Sequence, residues 1–86
     1  MTTNDKWANT EANKRAYVNA QMLAGEQLGY LRRTNRRKRG KRLFKSLVFG
    51  IPEGSADRAA WGKLAGEIYE RHTHEELERL VNGPVN

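Results

Sequence analysis

The chain has 86 residues, no cysteine and a formal net charge of +6. A chain of this length forms a single small domain, residues 1–86. Without cysteine it has no disulfide scaffold, no thiolate zinc site and no cysteine nucleophile. No apolar run approaches the length of a membrane span, and the polar N-terminus lacks the pattern of a signal peptide. We therefore expect a cytoplasmic or nucleoid-associated protein that does not contact membranes.

Positive charge is concentrated in the first part of the chain. Residues 1–50 carry 12 Lys/Arg against 3 Asp/Glu, whereas residues 51–86 carry 4 against 7. The net charge is thus +9 in the first part and −3 in the second. Such a separation indicates that the first part meets a polyanion while the second part does not.

The first predicted helix covers residues 10–31, after a stretch at residues 1–6 that we expect to be frayed. Thr10 is its expected N-cap. Gly25 and Gly29 lie opposite the apolar face, and we interpret them as tolerated flaws or as a point where another backbone comes close. At 100° per residue the apolar face contains Ala12, Ala16, Tyr17, Ala20, Leu23, Ala24, Leu28, Tyr30 and Leu31.

Two further helices are predicted on either side of a turn at Pro52-Glu53-Gly54. The helix over residues 41–49 is short, with four apolar residues at helical spacing. Ser55 is the expected N-cap of the helix over residues 56–72. This helix has the clearest pattern in the chain, because apolar residues recur at i, i+3, i+4, i+7 and i+8. They are Trp61, Leu64, Ala65, Ile68 and Tyr69.

A last helix is predicted over residues 74–82. Thr73 and Glu76 have the spacing of a capping box that begins this helix. Its expected buried positions are Leu77, Leu80 and Val81. No strand alternation of useful length appears, so we predict an all-α fold, a small bundle of about four helices with a basic loop between the first two.

The strongest chemical signal is the basic run over residues 32–42, in which eight of eleven residues are positive. Like charges at this density repel one another unless a polyanion neutralises them, and nucleic acid phosphates do so with release of counterions. We expect the run to be mobile in the free protein. The candidate contact residues are Arg32, Arg33, Arg36, Arg37, Lys38, Arg39, Lys41, Arg42, the nearby Lys45, and Tyr30, whose ring can stack on a base.

Other uses of the basic run and of the helices stay open or are disfavoured. The run can instead meet an acidic protein surface, as in an interaction module or inhibitor that binds a macromolecular machine. A homodimer also stays open, since so small a core gains from a partner. A helix-turn-helix is disfavoured, because the last helix is acidic and would repel a phosphate-lined groove.

The aromatic and ionisable residues outside the run suggest structure rather than catalysis. Trp7 is expected to fold back onto the first helix. His72 and His74 are two residues apart, which points helical side chains in different directions, so no metal site is expected. The sequence contains no phosphate-binding glycine loop and no serine elbow. We therefore predict a small regulatory or accessory protein that binds RNA or DNA, without a cofactor, rather than an enzyme.

Overall fold

The computed structural model describes residues 5–31 and 50–82, which form a 3-10 turn and three α-helices. No strand occurs among them, so the all-α prediction is confirmed. The described helices number three rather than four. The helix predicted over residues 41–49 and the basic segment 32–42 lie outside the described residues. The elements are the turn Asp5–Trp7, α1 (Glu11–Gln27), α2 (Ala56–Arg71) and α3 (His74–Asn82).

Helix α1 is the centre of the described fold, because it packs against both α2 and α3. Ala16, Ala20 and Ala24 are almost completely buried and follow each other at intervals of four residues. Such a row is the ridge along which packed helices meet, and its small side chains let a neighbouring backbone come close. The core is completed by larger side chains, of which Tyr69 and Leu77 are the largest that are fully buried.

The contact between α1 and α2 is centred on Gly25 and Trp61. A Cβ atom added at Gly25 would lie 2.7 Å from Cζ2 of Trp61 and 3.0 Å from Cδ1 of Leu31. The indole Nε1 of Trp61 donates a hydrogen bond of 2.8 Å to the carbonyl oxygen of Gln21. Gly25 is therefore neither a flaw nor a point of backbone approach, because its missing side chain makes room for the indole ring.

The C-terminus of α1 is closed by a glycine motif that shortens the predicted helix. Gly29 has a φ of +89°, a conformation that favours glycine. Its N–H donates to the carbonyl of Glu26, and the N–H of Tyr30 donates to the carbonyl of Gly25 at 2.7 Å. This pair of bonds is a Schellman motif. The prediction of a helix to residue 31 is wrong for this reason: α1 ends at Gln27, and Gly29 terminates it.

The other helix termini agree with the caps expected from sequence. Oγ of Ser55 accepts a hydrogen bond of 3.1 Å from the N–H of Arg58. In the capping box, Glu76 N–H donates to Thr73 Oγ1 at 3.1 Å and Thr73 N–H donates to Glu76 Oε1 at 3.0 Å. The hydroxyl of Thr10 likewise caps α1. Each of these bonds spans three residues, which is why local sequence predicts them.

Several buried positions differ from the single apolar face expected for α1. Asn19 and Met22, which lie off that face, are buried, whereas Ala12 and Leu28 are exposed. A single apolar face is expected for a helix that packs against one neighbour. Helix α1 instead packs against both α2 and α3, which cover it from more than one side. On α3, Leu77 is buried as expected, while Leu80 is 45% exposed and the expectation of its burial is wrong.

The N-terminal turn is attached to both α1 and α2. Trp7 packs against Tyr17 of α1, with ring centroids 5.6 Å apart, and against Tyr69 of α2 at 4.5 Å. Lys6 Nζ donates to the carbonyl of His72 at 2.6 Å. The hydroxyl of Tyr69 donates to the carbonyl of Lys6. The expected fold-back of Trp7 is present, and Lys6, at the edge of the stretch expected to fray, has defined partners.

We expect Gly25→Ala to destabilise the protein by about 1–3 kcal/mol, because the new methyl group collides with the indole of Trp61 in a packed interior. Gly62→Ala is the matched control, since Gly62 also lies inside a helix but has open space beside it. The control should gain up to about 1 kcal/mol from helix propensity. Urea unfolding measures both changes. Equal stabilisation by both substitutions would contradict the close contact between Gly25 and Trp61.

Candidate nucleic-acid interface

The nine predicted basic contact residues, Arg32 to Lys45, lie outside the described residues, and of the candidate set only Tyr30 is described. The chain on either side of this stretch is attached to the core. Leu31 is 3% exposed, and Ile51 is partly buried against the same cluster. The guanidinium of Arg58 donates to the carbonyl of Ile51 at 2.6 Å. Both described ends of the stretch are therefore held by the helical scaffold.

Tyr30 is held in one orientation by two neighbours. Its ring stacks on the indole of Trp61, with centroids 5.1 Å apart and planes 10° from parallel. A hydrogen bond from its hydroxyl to the carboxylate of Asp57 raises the pKa of Tyr30 above the ordinary value, and burial and the charge of Asp57 add to this. One face of the Tyr30 ring is thus occupied within the protein by the indole of Trp61.

A recess beside the N-terminal turn was not recognised from the sequence. We call it the N-terminal recess. It has a volume of about 310 Å³ and is lined by parts of the turn, α1 and α2. Its lining includes Lys6, Trp7, Asn9, Asn13, Lys14 and Tyr17. Only an isolated tryptophan outside the helical pattern marks it in the sequence, because its walls come from elements far apart along the chain.

The tyrosines around the N-terminal recess are partly withdrawn from water. Burial raises the pKa of Tyr17 above the ordinary value. Burial also raises the pKa of Tyr69, and the nearby negative charge of Glu70 adds to this. Lys6 Nζ lies 4.8 Å from the centroid of the Tyr69 ring. The phenols are therefore neutral at physiological pH and present aromatic surface rather than negative charge.

A second groove lies on the outer side of α2 and is also lined by Trp7. It has a volume of about 610 Å³, and Gly62 and Gly66 form part of its floor. Its charged lining consists of two acidic and two basic residues: Lys63, Glu67, Glu70 and Arg71. The lining has no net charge, so this groove has no electrostatic preference for a polyanion.

The two histidines have structural partners. Nδ1 of His72 lies 3.0 Å from the carbonyl oxygen of Ile68. His74 stacks on Tyr69, with ring centroids 5.9 Å apart. Within residues 5–31 and 50–82 no group of three His, Asp or Glu side chains could hold a metal ion.

Comparisons of the chain with protein-family models, curated proteins and solved structures found no match. Among the described helices, none has the length and apolar character needed to cross a bilayer.

The tyrosines predict a late alkaline titration. The pKa values of Tyr17, Tyr30 and Tyr69 are raised in the folded protein. Since the unfolded value is about 10, the stability that these groups contribute is full below about pH 10 and is lost as the pH rises through the folded pKa values. Tyrosinate absorbance should develop at higher pH in the native protein than in urea. Coincident titration curves would contradict the burial and hydrogen bonding assigned to these rings.

Proposed function

We propose that this chain is a non-catalytic nucleic-acid-binding protein that contacts phosphates through the basic residues between positions 32 and 45. The supporting observation is the distribution of charge. Nine of the 16 basic residues and none of the ten acidic residues lie in residues 32–49. All of the excess positive charge of the protein is therefore in this stretch, and the remaining residues carry a net charge of −3.

This distribution favours one mode of contact. A scaffold of net negative charge repels a polyanion, so electrostatic attraction acts at the basic stretch and orients the protein. Arginine predominates among its charged residues. A guanidinium donates two parallel hydrogen bonds to a phosphate and stacks on exposed bases, which an ammonium group does not do. Attachment of Leu31 and Ile51 to the core supports the proposal, because it joins the stretch to a folded platform at both ends.

Tyr30 belongs to the proposed contact set because it precedes the run by two residues. Its stacking on Trp61 fixes the plane of the ring before a ligand arrives. A side chain already held in place loses less conformational entropy on binding. We propose that the ring face turned away from Trp61 stacks on an unpaired base near the phosphates that the arginines neutralise.

Salt dependence tests the proposal. If the basic stretch neutralises about six phosphates, the slope of log K against log salt should be about −4 for a single strand and about −5 for a duplex. The triple variant Arg36→Ala, Arg37→Ala, Arg39→Ala removes half of these contacts. Its slope should be flatter by about 2–3 and its affinity lower at every salt concentration. Fluorescence anisotropy of a labelled oligonucleotide measures both quantities.

The matched control removes the same charge elsewhere. Lys63, Arg71 and Arg79 are exposed on α2 and α3, and their replacement by alanine should change the slope by less than 1. An equal loss of affinity in both triple variants would show that only the total charge matters. A salt slope near zero for the unaltered protein would exclude nucleic acid as the ligand. In that case the alternative hypothesis is that the same residues bind an acidic protein, and a pull-down in the presence of nuclease would test it.

A further inference from the structure

The N-terminal recess combines exposed aromatic surface with positive charge. Trp7 is 47% exposed, although an indole gains more than most side chains from burial. Tyr17, which lines the same recess, is only half-buried. The two rings lie 5.6 Å apart and are tilted by 59°, so they form two adjoining walls rather than one closed stack. The exposed faces of these two rings are available for contact with another planar group.

The charged residues that the structure describes in the lining of the N-terminal recess are positive. They are Lys6 and Lys14, and none of the described lining residues is acidic. This is unusual for the described residues, which together carry a net negative charge. The groove on the other side of Trp7 contains equal numbers of acidic and basic residues. Trp7 therefore separates a neutral groove from a positive recess, and a ligand that carries both an aromatic ring and an anion is favoured in the recess.

Three side chains that line the recess are held in place by hydrogen bonds within the protein. The indole N–H of Trp7 donates to Glu70, and the hydroxyl of Tyr69 donates to the carbonyl of Lys6. Asn13 Nδ2 donates to the carbonyl of Ala8 at 2.9 Å. A site whose side chains are already positioned loses little entropy when its ligand binds. Its volume of about 310 Å³ is at the lower end for small-ligand sites, where one base with its sugar fits.

We infer that the N-terminal recess binds one unpaired base of a single-stranded nucleic acid. The base stacks on Trp7 with one edge against the tilted ring of Tyr17, its phosphate is neutralised by Lys14, and the amides of Asn9 and Asn13 face another edge of the base. Aromatic stacking beside a cationic groove is the common design of single-strand binding proteins, whereas paired bases in a duplex do not offer their faces. The inference rests on the proposed function, to which it adds a second stacking site, separate from Tyr30, that requires a single strand.

The direct test observes the two indole N–H groups of the unaltered full chain. An oligo-uridine and an oligo-deoxythymidine, each of about eight nucleotides, are added to the labelled protein, and the two indole signals are followed by NMR. The Nε1 signal of Trp7 should shift with saturation. That of Trp61 should stay in place, because its N–H is bonded to Gln21 in the interior. An unchanged Trp7 signal at saturation would overturn the inference.

Two variants measure the contribution of the ring. Trp7→Leu keeps apolar cover on Tyr69 but removes the flat surface, so single-strand affinity should fall by about 5- to 100-fold. Trp7→Phe keeps a flat ring and should restore most of the loss. Leu80→Ala is the control for removing an exposed apolar side chain elsewhere, since Leu80 is 45% exposed on α3. It should bind as the unaltered protein does.

Lysine substitutions provide a test that leaves the aromatic contacts intact. Lys14→Gln should weaken single-strand binding and flatten its salt slope by less than 1. Lys63 is an exposed lysine of the neutral groove. The Lys63→Gln variant should therefore bind oligo-uridine with unchanged affinity. Equal behaviour of the two variants would contradict a phosphate contact at Lys14.

The same measurements separate this inference from the proposed function. Trp7→Leu should leave the affinity for duplex DNA and the retention on heparin unchanged, whereas the arginine triple variant should reduce both. If Trp7→Leu binds oligo-uridine normally while the arginine variant does not, the inference fails and the proposed function stands. If only Trp7→Leu weakens binding, the recess is the site and the assignment to the basic stretch fails.

Discussion

The described fold depends on how the indole of Trp61 is seated against α1. The ring occupies the space where a side chain at Gly25 would lie, which sets how closely α1 and α2 approach. Its N–H is bonded to the carbonyl of Gln21, one turn earlier, and this fixes where along α1 the ring sits. A side chain that must satisfy both a steric and a polar requirement has few alternative positions. The register between the two helices follows from this one contact.

The same indole also determines how the chain leaves α1 towards the basic stretch. The left-handed turn at Gly29 reverses the chain after the helix, and this places Tyr30 on the ring of Trp61. Leu31 then enters the core beside Gly25. The residues that immediately precede Arg32 are therefore oriented by the interior of the protein. Loss of the Trp61 contact would disturb the chain at Tyr30 as well as the core, since both contact one ring.

Sequence predicts the local features of this fold better than the contacts between helices. The N-caps Thr10 and Ser55 and the capping box at Thr73 are recognisable, because each hydrogen bond joins residues three apart. The role of Gly25 is not recognisable, because it is defined by a ring on another helix. Burial of Asn19 and Met22 is missed for the same reason, since an amphipathic pattern assumes one neighbour and α1 has more than one.

The two candidate sites also differ in whether their residues are close together or far apart along the sequence. The basic run is visible in the sequence because its residues are consecutive, and charge density alone suggests its ligand. The N-terminal recess is assembled from the turn, α1 and α2, so neither Trp7 nor Tyr17 identifies it separately. The signal in the sequence is Trp7, which lies outside the pattern of apolar residues at helical spacing. Its contacts with Tyr17 and Tyr69 become apparent only when the turn is folded against both helices.

The N-terminal recess and Tyr30 lie at opposite ends of α1, and this separation limits how one ligand can use both. The recess is formed at the N-terminal end, and Tyr30 follows the last residue of the helix, Gln27, by three residues. A helix of 17 residues is about 25 Å long at a rise of about 1.5 Å per residue. A strand that contacts both the recess and Tyr30 would therefore extend along α1 over about this distance, which agrees with the site sizes of roughly 4–16 nucleotides found for small single-strand binding domains. In the proposed mode of binding, phosphate contacts of the basic stretch would supply attraction that does not depend on sequence, and a base stacked in the recess would require the strand to be unpaired. Because the recess and Tyr30 are joined by the central helix, the two proposed base contacts are held at a fixed separation by the scaffold.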